Sequence, residues 1–522
     1  MTTKENSPHF GHSISTFVPV SPLHKRRPHF GHIAYFIKCT PFSYYFVSFS
    51  NYKDVCTTKS RTIEYNMGIV YHKFSIISRI HNHIRKLRFT ERFFVDFSIC
   101  LFYNVTDNTQ NAEESMKDKI SIAIIGLGQR GSGLLRDILV KRKDLDIVAV
   151  CDVYEDRTAQ AAKTITDDGR PEPKRYTDYK LLLEEVKTDS VLISCSWEWH
   201  IEIAIAAMKA GIAVALEVGG CFSMEELWSL VHTQEETGTP FMFMENCCFG
   251  KDELLATGAY RAGALGTVVA CEGSYTHDLR EEIAGGNINR HYRLRNYIHR
   301  NCDNYPTHDA GPIAKLLDVN RGNKFVSLVS VASKACGLRE YVAERPDKYP
   351  DLQDVEFNQG DIVTTIITCA NGETVTLRLN TTLPTFYSRD FVVRGTKGMY
   401  NMNANMLYFD GDAEGWEPSE MYPKFLNSAD AHTEFLPKIW KSVTKEQLEA
   451  GHGGMDYFEF ECFVNRLKRG EEFPIDVYDA ATYMAISVLS EQSVASGGSV
   501  QFFPDFTCGK WQVRKPLDVT EF

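Results

Sequence analysis

Ile120-Ser-Ile-Ala-Ile-Ile-Gly126-Leu-Gly128-Gln-Arg-Gly131 decides the fold of this chain. The first six residues form a short β-branched apolar run, as a buried parallel strand requires. The strand runs into a G-x-G-x-x-G turn, and a helix is predicted from Ser132 to Lys141. Gly126 permits the tight turn, Gly128 lets backbone approach a pyrophosphate, and Gly131 lets the helix pack closely on the strand. The helix then offers unpaired N–H groups to phosphate. A second strand, Asp146–Cys151, ends in Asp152, 24 residues beyond Gly128. A carboxylate at about that distance binds adenosine ribose hydroxyls and repels a 2′-phosphate, so NAD is expected rather than NADP. Arg157 nearby keeps NADP as the alternative.

The alternation continues outward. Val191–Cys195, Ala213–Leu216 and Pro240–Met244 read as strands, Glu202–Ala210 and Ser223–Gly238 as helices. Ser223 is the expected N-cap of the latter, with Glu226 at the capping-box position. Repeated βα units mean a doubly wound parallel sheet of the Rossmann type, with ligands at the carboxyl ends of its strands. Those ends carry Trp197-Glu-Trp-His200, Glu217-Val218 and Glu245-Asn246. Past Asn246 the pattern changes to period-2 runs at Val268–Tyr275, Ser327–Lys334, Ile362–Cys369, Thr374–Asn380 and Phe391–Arg394. The fold class is therefore α/β, with a Rossmann domain followed by an α+β domain bearing an open, mainly antiparallel sheet. The expected boundaries are 116–246 for the first and 247–522 for the second.

Residues 1–115 read differently. They hold 14 Lys+Arg against 8 Asp+Glu, a charge of +6 in a chain whose total is -11. They also hold eight of the 16 His and 13 of the 32 Phe, with no periodicity long enough to name an element. This segment is expected to be a poorly structured leader, with Met116 as an alternative start. Pro-His-Phe-Gly-His occurs twice in it, at 8–12 and 28–32, without acidic or Cys ligands beside it, and no metal is expected. The acidic total argues against a nucleic-acid partner. No run of about 18 apolar residues exists to span a membrane. The 14 cysteines lack a C-x-x-C pair, which fits reduced thiols in a cytoplasmic protein.

In the second domain, Arg290-His-Tyr-Arg-Leu-Arg-Asn-Tyr-Ile-His-Arg300 leads into Asn301-Cys-Asp-Asn-Tyr305-Pro-Thr-His308. So many polar groups suit a loop that binds a sugar or polyol. Hydride transfer from a secondary alcohol needs a base for the hydroxyl proton, and Tyr305 and His308 are the candidates.

From about Ile120 onward the chain resembles the glucose-fructose oxidoreductase / inositol dehydrogenase / MocA family. Trp197-Glu-Trp-His200, Tyr305-Pro-Thr-His308 and Gly451-His-Gly-Gly-Met-Asp-Tyr457 resemble its glycoside hydrolase family 109 branch, which includes α-N-acetylgalactosaminidases that use NAD. The resemblance implies cofactor contacts at Gly126, Gly128, Asp152, Trp197, His200, Glu217, Val218 and Asn246, beside Gly131 of the glycine motif. It implies substrate contacts at Tyr275, Arg293, Tyr305, His308 and Tyr387, and a homo-oligomer built through the open sheet. It further implies oxidation at the sugar C3, elimination, water addition and re-reduction, without two separated catalytic carboxylates. Many sugar dehydrogenases of the larger family carry Glu-Lys-Pro where this chain has Glu217-Val218-Gly219, which weakens a plain dehydrogenase reading. Three functions follow: a redox glycosidase, an ordinary sugar or inositol dehydrogenase, and a non-enzymatic dinucleotide sensor.

Overall fold

The computed structural model describes residues 34–40, 43–48, 118–412 and 418–522. The chain divides into two compact units, Met1–Asp107 and Asn108–Phe522. In the first, β1 (Ala34–Thr40) and β2 (Ser43–Ser48) pair antiparallel, a hairpin that no periodicity in the segment predicts. The remainder of the expected leader lies outside the described residues.

In the second unit the buried apolar runs form the expected parallel sheet. Its strands are β3 (Ile120–Ile125), β4 (Leu145–Cys151), β5 (Lys174–Tyr176), β6 (Ser190–Ile193), β7 (Ala213–Glu217) and β8 (Phe241–Met244). They are ordered β5-β4-β3-β6-β7-β8, so the winding reverses beside β3, where a doubly wound sheet opens its ligand crevice. β6, β7 and β8 are buried along their whole lengths because helices cover both faces. Helix Gln129–Leu134 starts directly after Gly128 and continues through a π turn, Leu135–Leu139, three residues earlier than the apolar pattern suggested. The capping box of helix Met224–Thr237 is present: Glu226 N–H donates to Ser223 Oγ and Ser223 N–H to Glu226 Oε2.

The second sheet has eight strands: β9 (Val268–Thr276), β10 (Phe325–Ala332), β11 (Ile362–Cys369), β12 (Thr374–Asn380), β13 (Val392–Gly395), β14 (Gly398–Asn401), β15 (Met406–Phe409) and β16 (Gln501–Phe502). Their order is β15-β14-β13-β9-β12-β11-β10-β16, and only β9 and β12 run parallel. Val363, Thr365 and Ile367 face inward along β11, Val375, Leu377 and Leu379 along β12. Helix Val477–Ala495, capped by Asp476, packs on β10, on β8 and on helix Met224–Thr237. Contact with both sheets buries it nearly all round, which explains its Ala-rich composition. No helix among the described residues is long and apolar enough to cross a membrane.

Two expectations need correction. Trp197–His200 is the first turn of helix Trp197–Lys209, which begins five residues before the expected Glu202. The short polar word hid the start because Trp197 and His200 are buried on the helix's inner face. The segment 290–300 is not an open loop either, since Arg293–His299 is helical. Its cations are braces: Arg290 pairs with Asp156, Arg293 with Glu282, Arg295 with Glu198 and Arg300 with Glu491.

Candidate active site

A cleft of about 990 Å³ opens at the carboxyl ends of β3, β4, β6 and β7 and is roofed from the second sheet. Twelve of the sequence-predicted residues line it: Gly126, Gly128, Asp152, Trp197, His200, Glu217, Val218, Asn246, Tyr275, Arg293, Tyr305 and His308. Gly131 lies beneath, where a Cβ would fall 2.1 Å from Gly126 O and 2.6 Å from Ser194 Oγ. Tyr387 stands at the margin, edge-on to His277 at 5.2 Å and to Tyr275 at 6.4 Å, and lines an adjoining recess instead.

The dinucleotide end fits its expected guest. Gly126 has φ +98°, and a Cβ there would lie 2.3 Å from Cys195 N. The turn can therefore be made only by glycine. At Gly128, by contrast, the nearest atom to a Cβ is Arg157 Nη1 at 3.8 Å, which leaves the backbone open to the cleft. Asp152 accepts from Leu127 N–H at 2.8 Å and Tyr154 N–H at 3.0 Å, so it fixes the glycine turn as well as facing the crevice. Arg157 Nη1 lies 3.6 Å from it. His200 Nε2 is 3.1 Å from Cys195 O while its Nδ1 is buried without a partner. Burial pushes His200 down to about 4, so the ring is neutral at physiological pH.

At the far end the chemistry gathers. His308 Nδ1 lies 2.7 Å from Glu245 Oε1, which stands at the end of β8 and is fully buried. A carboxylate there accepts a hydrogen bond from Nδ1–H, which fixes the tautomer whose Nε2 lone pair is free. Tyr305 packs on Tyr275, with ring centroids 4.4 Å apart, and meets His308 at 4.9 Å. The Arg293 guanidinium sits 4.8 Å from the Tyr305 ring. Burial pushes Tyr275 up to about 12 and Tyr305 well up, Arg293 opposing in both cases. Burial thus favours the protonated form of both phenols.

Beside them a charge cluster joins the two ends of the unit. Arg130, from the glycine turn, donates to Glu217 Oε1 at 2.8 Å and to both oxygens of Asp456 at 2.7 and 3.0 Å. Asp456 also accepts from Asn246 Nδ2 at 2.7 Å and lies 2.8 Å from His452 Nδ1. Burial alone would raise Asp456, but His452 and Arg130 hold it well below the usual carboxylate range. Glu245, Cys247 and His308 bring their ligating atoms within 4.8 Å of one another. Burial pushes the Cys247 thiol well up, which favours its protonated form.

Sequence reasoning missed Arg130, Glu245, His452 and Asp456. Glu245 had a signal in its position at a strand end. Asp456 had only its place in the Gly451–Tyr457 word.

Comparison with known proteins places this geometry. Residues 120–244 match the oxidoreductase family, NAD-binding Rossmann fold, and residues 249–513 match glycosyl hydrolase 109, C-terminal domain. The glycosyl hydrolase family 109 protein of Stenotrophomonas maltophilia (strain K279a) is 38% identical over 423 residues, covering 76% of this chain and 91% of that protein. The chain belongs to glycosyl hydrolase family 109. Within family 109, the α-N-acetylgalactosaminidase of Tannerella forsythia is 36% identical over 422 residues, with 76% of this chain and 88% of that protein covered. The family 109 fold is shared with scyllo-inositol dehydrogenase from Lactobacillus casei with bound NAD(H) and scyllo-inositol. That structure gives a TM-score of 0.53 at 13% identity, covering 74% of this chain and 99% of that one. An NAD-binding oxidoreductase from Klebsiella pneumoniae gives 0.54 at 16%, with 74% and 99% covered.

Proposed function

We propose that this chain is a redox glycosidase that removes terminal α-linked N-acetylgalactosamine with a resident dinucleotide, NAD in preference to NADP. The carrying observation is the placement of the Glu245–His308 pair at the end of a cleft that begins at the glycine turn. When bound, the nicotinamide supplies a hydride acceptor for the sugar C3 hydrogen and returns that hydride after the glycosidic bond is cut. His308 Nε2 takes the C3 hydroxyl proton, with Glu245 stabilising the charge that develops on the ring. A C3 carbonyl would acidify the C2 proton, which a base in the cleft removes as the glycosidic oxygen leaves; water then adds at C1 and a proton returns to C2, while Tyr305, kept protonated by burial, donates a hydrogen bond to a sugar oxygen. Arg293 and Tyr275 orient the ring, and Tyr387 contacts it from the rim. The relatives named as α-N-acetylgalactosaminidases support the substrate. The cleft carboxylates Glu217 and Asp456 are held by Arg130, which does not suit them to paired acid–base hydrolysis.

NAD is favoured because a 2′-phosphate would meet the Asp152 carboxylate. The domain boundary at 246/247 is carried by the change from parallel to antiparallel pairing after β8. A homo-oligomer through the open sheet is supported by Val331, Ile366 and Phe502, exposed on neighbouring strands β10, β11 and β16. Light scattering of Phe502→Glu tests that surface.

The deciding experiment is hydrolysis of p-nitrophenyl α-N-acetylgalactosaminide with NAD in D2O. Expected are p-nitrophenol release without net NADH and product deuterated at C2. NADH accumulating in proportion to oxidised free sugar would establish the dehydrogenase instead. Retained NAD with neither reaction would establish the sensor.

A further inference from the structure

Five imidazoles line the cleft, those of His200, His277, His291, His308 and His452. Four are engaged. His200 Nε2 lies 3.1 Å from Cys195 O, and His308 is backed by Glu245. His291 Nδ1 accepts from Arg293 N–H, and its Nε2 lies 3.7 Å from Glu282. His452 is held between Arg130 and Asp456. The His277 side chain makes one long contact, 3.4 Å from Nδ1 to Tyr275 Oη, and its Nε2 has no hydrogen-bond partner among the described residues. In the tautomer that donates Nδ1–H to Tyr275, Nε2 presents a free lone pair.

The backbone aims this ring at the sugar site. Tyr275 and His277 stand two residues apart at the end of β9, so the pleat turns both to one face. His277 N–H donates to Asn380 O, at the end of β12, at 2.9 Å. The ring lies edge-on to buried Tyr275 at 6.0 Å and to Tyr387 on the rim at 5.2 Å. Burial lowers the pKa of this half-buried ring; Glu282 and Asp278 oppose that and Arg293 and His308 add to it, so the neutral form is favoured. The two carboxylates are themselves taken, Glu282 by Arg293 at 2.8 Å and Asp278 by Arg280 at 2.7 Å.

A redox glycosidase must move two protons from neighbouring carbons, the hydroxyl proton at C3 and the C–H proton at C2. One imidazole cannot take both, since His308 has no lone pair left once it holds the hydroxyl proton. We propose that His277 is a second catalytic base, which removes the sugar C2 proton and returns a proton there after water has added. This rests on the redox-glycosidase reading. His277 Nε2 bonds to the C2 proton, and the C2–H electron pair becomes the C1–C2 double bond. The C1–O pair leaves with the aglycone oxygen, which takes a proton from water. The hydroxide so formed adds to C1, and the His277 imidazolium, after exchange with solvent, gives its proton to C2. No electrons are gained or lost in these steps, and the hydride that left C3 then returns to it.

The test is single-turnover mixing of the full chain, NAD+ and p-nitrophenyl α-N-acetylgalactosaminide, for the wild type, His277→Gln and His277→Ala. Absorbance of reduced nicotinamide reads oxidation at C3, and p-nitrophenol reads cleavage. Both variants are expected to bind NAD+ and to oxidise C3, while p-nitrophenol release and deuterium uptake at C2 in D2O fall about 100-fold or more. Reduced nicotinamide should then accumulate at the stalled ketone, and added imidazole should restore part of the release in His277→Ala. His308→Gln is expected to lose both signals together. Release at the wild-type rate in a His277 variant, or oxidation and release lost together, would overturn the assignment. Loss of folding in both variants, read by circular dichroism, would make the residue structural and overturn it too. A wild type that cuts no glycoside fails the redox-glycosidase reading itself, an outcome read without any variant.

Discussion

Two glycine-rich turns face the cleft, and they work by opposite physics. Gly126–Gly131 is defined by what it lacks: side chains that would collide with Cys195 or block the approach to Gly128. Gly451–Gly454 is a turn in which four consecutive residues, His452 among them, have positive φ. It exists to deliver side chains, since it brings His452 and Asp456 onto Arg130 of the first turn. The first turn binds through backbone and is written in local spacing. The second binds through a charge pair that spans 326 residues of sequence. A nucleotide site can thus be announced by one turn and completed by another whose partners lie far away in the sequence.

The largest effect is expected at the first turn. Gly126→Ala places a Cβ into the Cys195 backbone at an unfavourable φ, so cofactor binding should fall below detection by calorimetry, with a stability loss of at least about 2 kcal/mol. Retained affinity would show that the turn is not the phosphate site.

The second turn should show a smaller, pH-dependent effect. Asp456→Asn keeps shape but removes a buried charge, and denaturant melts should show roughly 1–3 kcal/mol lost at neutral pH. Because the folded pKa of Asp456 is depressed, its stabilisation is complete above the ordinary Asp value of about 3.9 and disappears as pH falls through the folded value. Wild type and variant should therefore converge in acid. A gap that stays constant to low pH would assign the loss to packing.

His200 sharpens the contrast, since it is buried neutral behind the first turn. Its pKa is lowered to about 4, so the unfolded chain takes up a proton between about 6.5 and 4 that the folded chain does not. Stability should fall across that window, by up to about 3 kcal/mol, and His200→Gln should flatten the slope. The smallest expected effect is that of chelation. EDTA should leave glycoside hydrolysis unchanged, and a loss restored by a divalent ion would make Glu245, Cys247 and His308 a metal site.

Legibility followed the range of the interaction. β11 and β12 were legible to the residue because alternation along a half-buried strand repeats every two positions. β5, β14 and β15 were not, since these short strands are neither buried along their length, as β6 and β8 are, nor alternately buried and exposed. The helix at Trp197 was located late because its first turn faces the cleft with polar and aromatic side chains together. Residues 290–300 were legible as a concentration of charge but not as braces, because Asp156, Glu198, Glu282 and Glu491 come from elsewhere in the chain.

By itself, then, the sequence determined the parallel sheet, the glycine turn that opens it, Asp152 at the second strand and the tyrosine–histidine pair at 305 and 308. Each depends on spacing within one or two elements, where backbone geometry leaves few choices. Only the tertiary structure decided that Glu245 backs His308, that Arg130 is shared between Glu217 and Asp456, and that burial favours the protonated form of Tyr305. Those outcomes depend on distance and dielectric between segments far apart in sequence, and no local pattern encodes either.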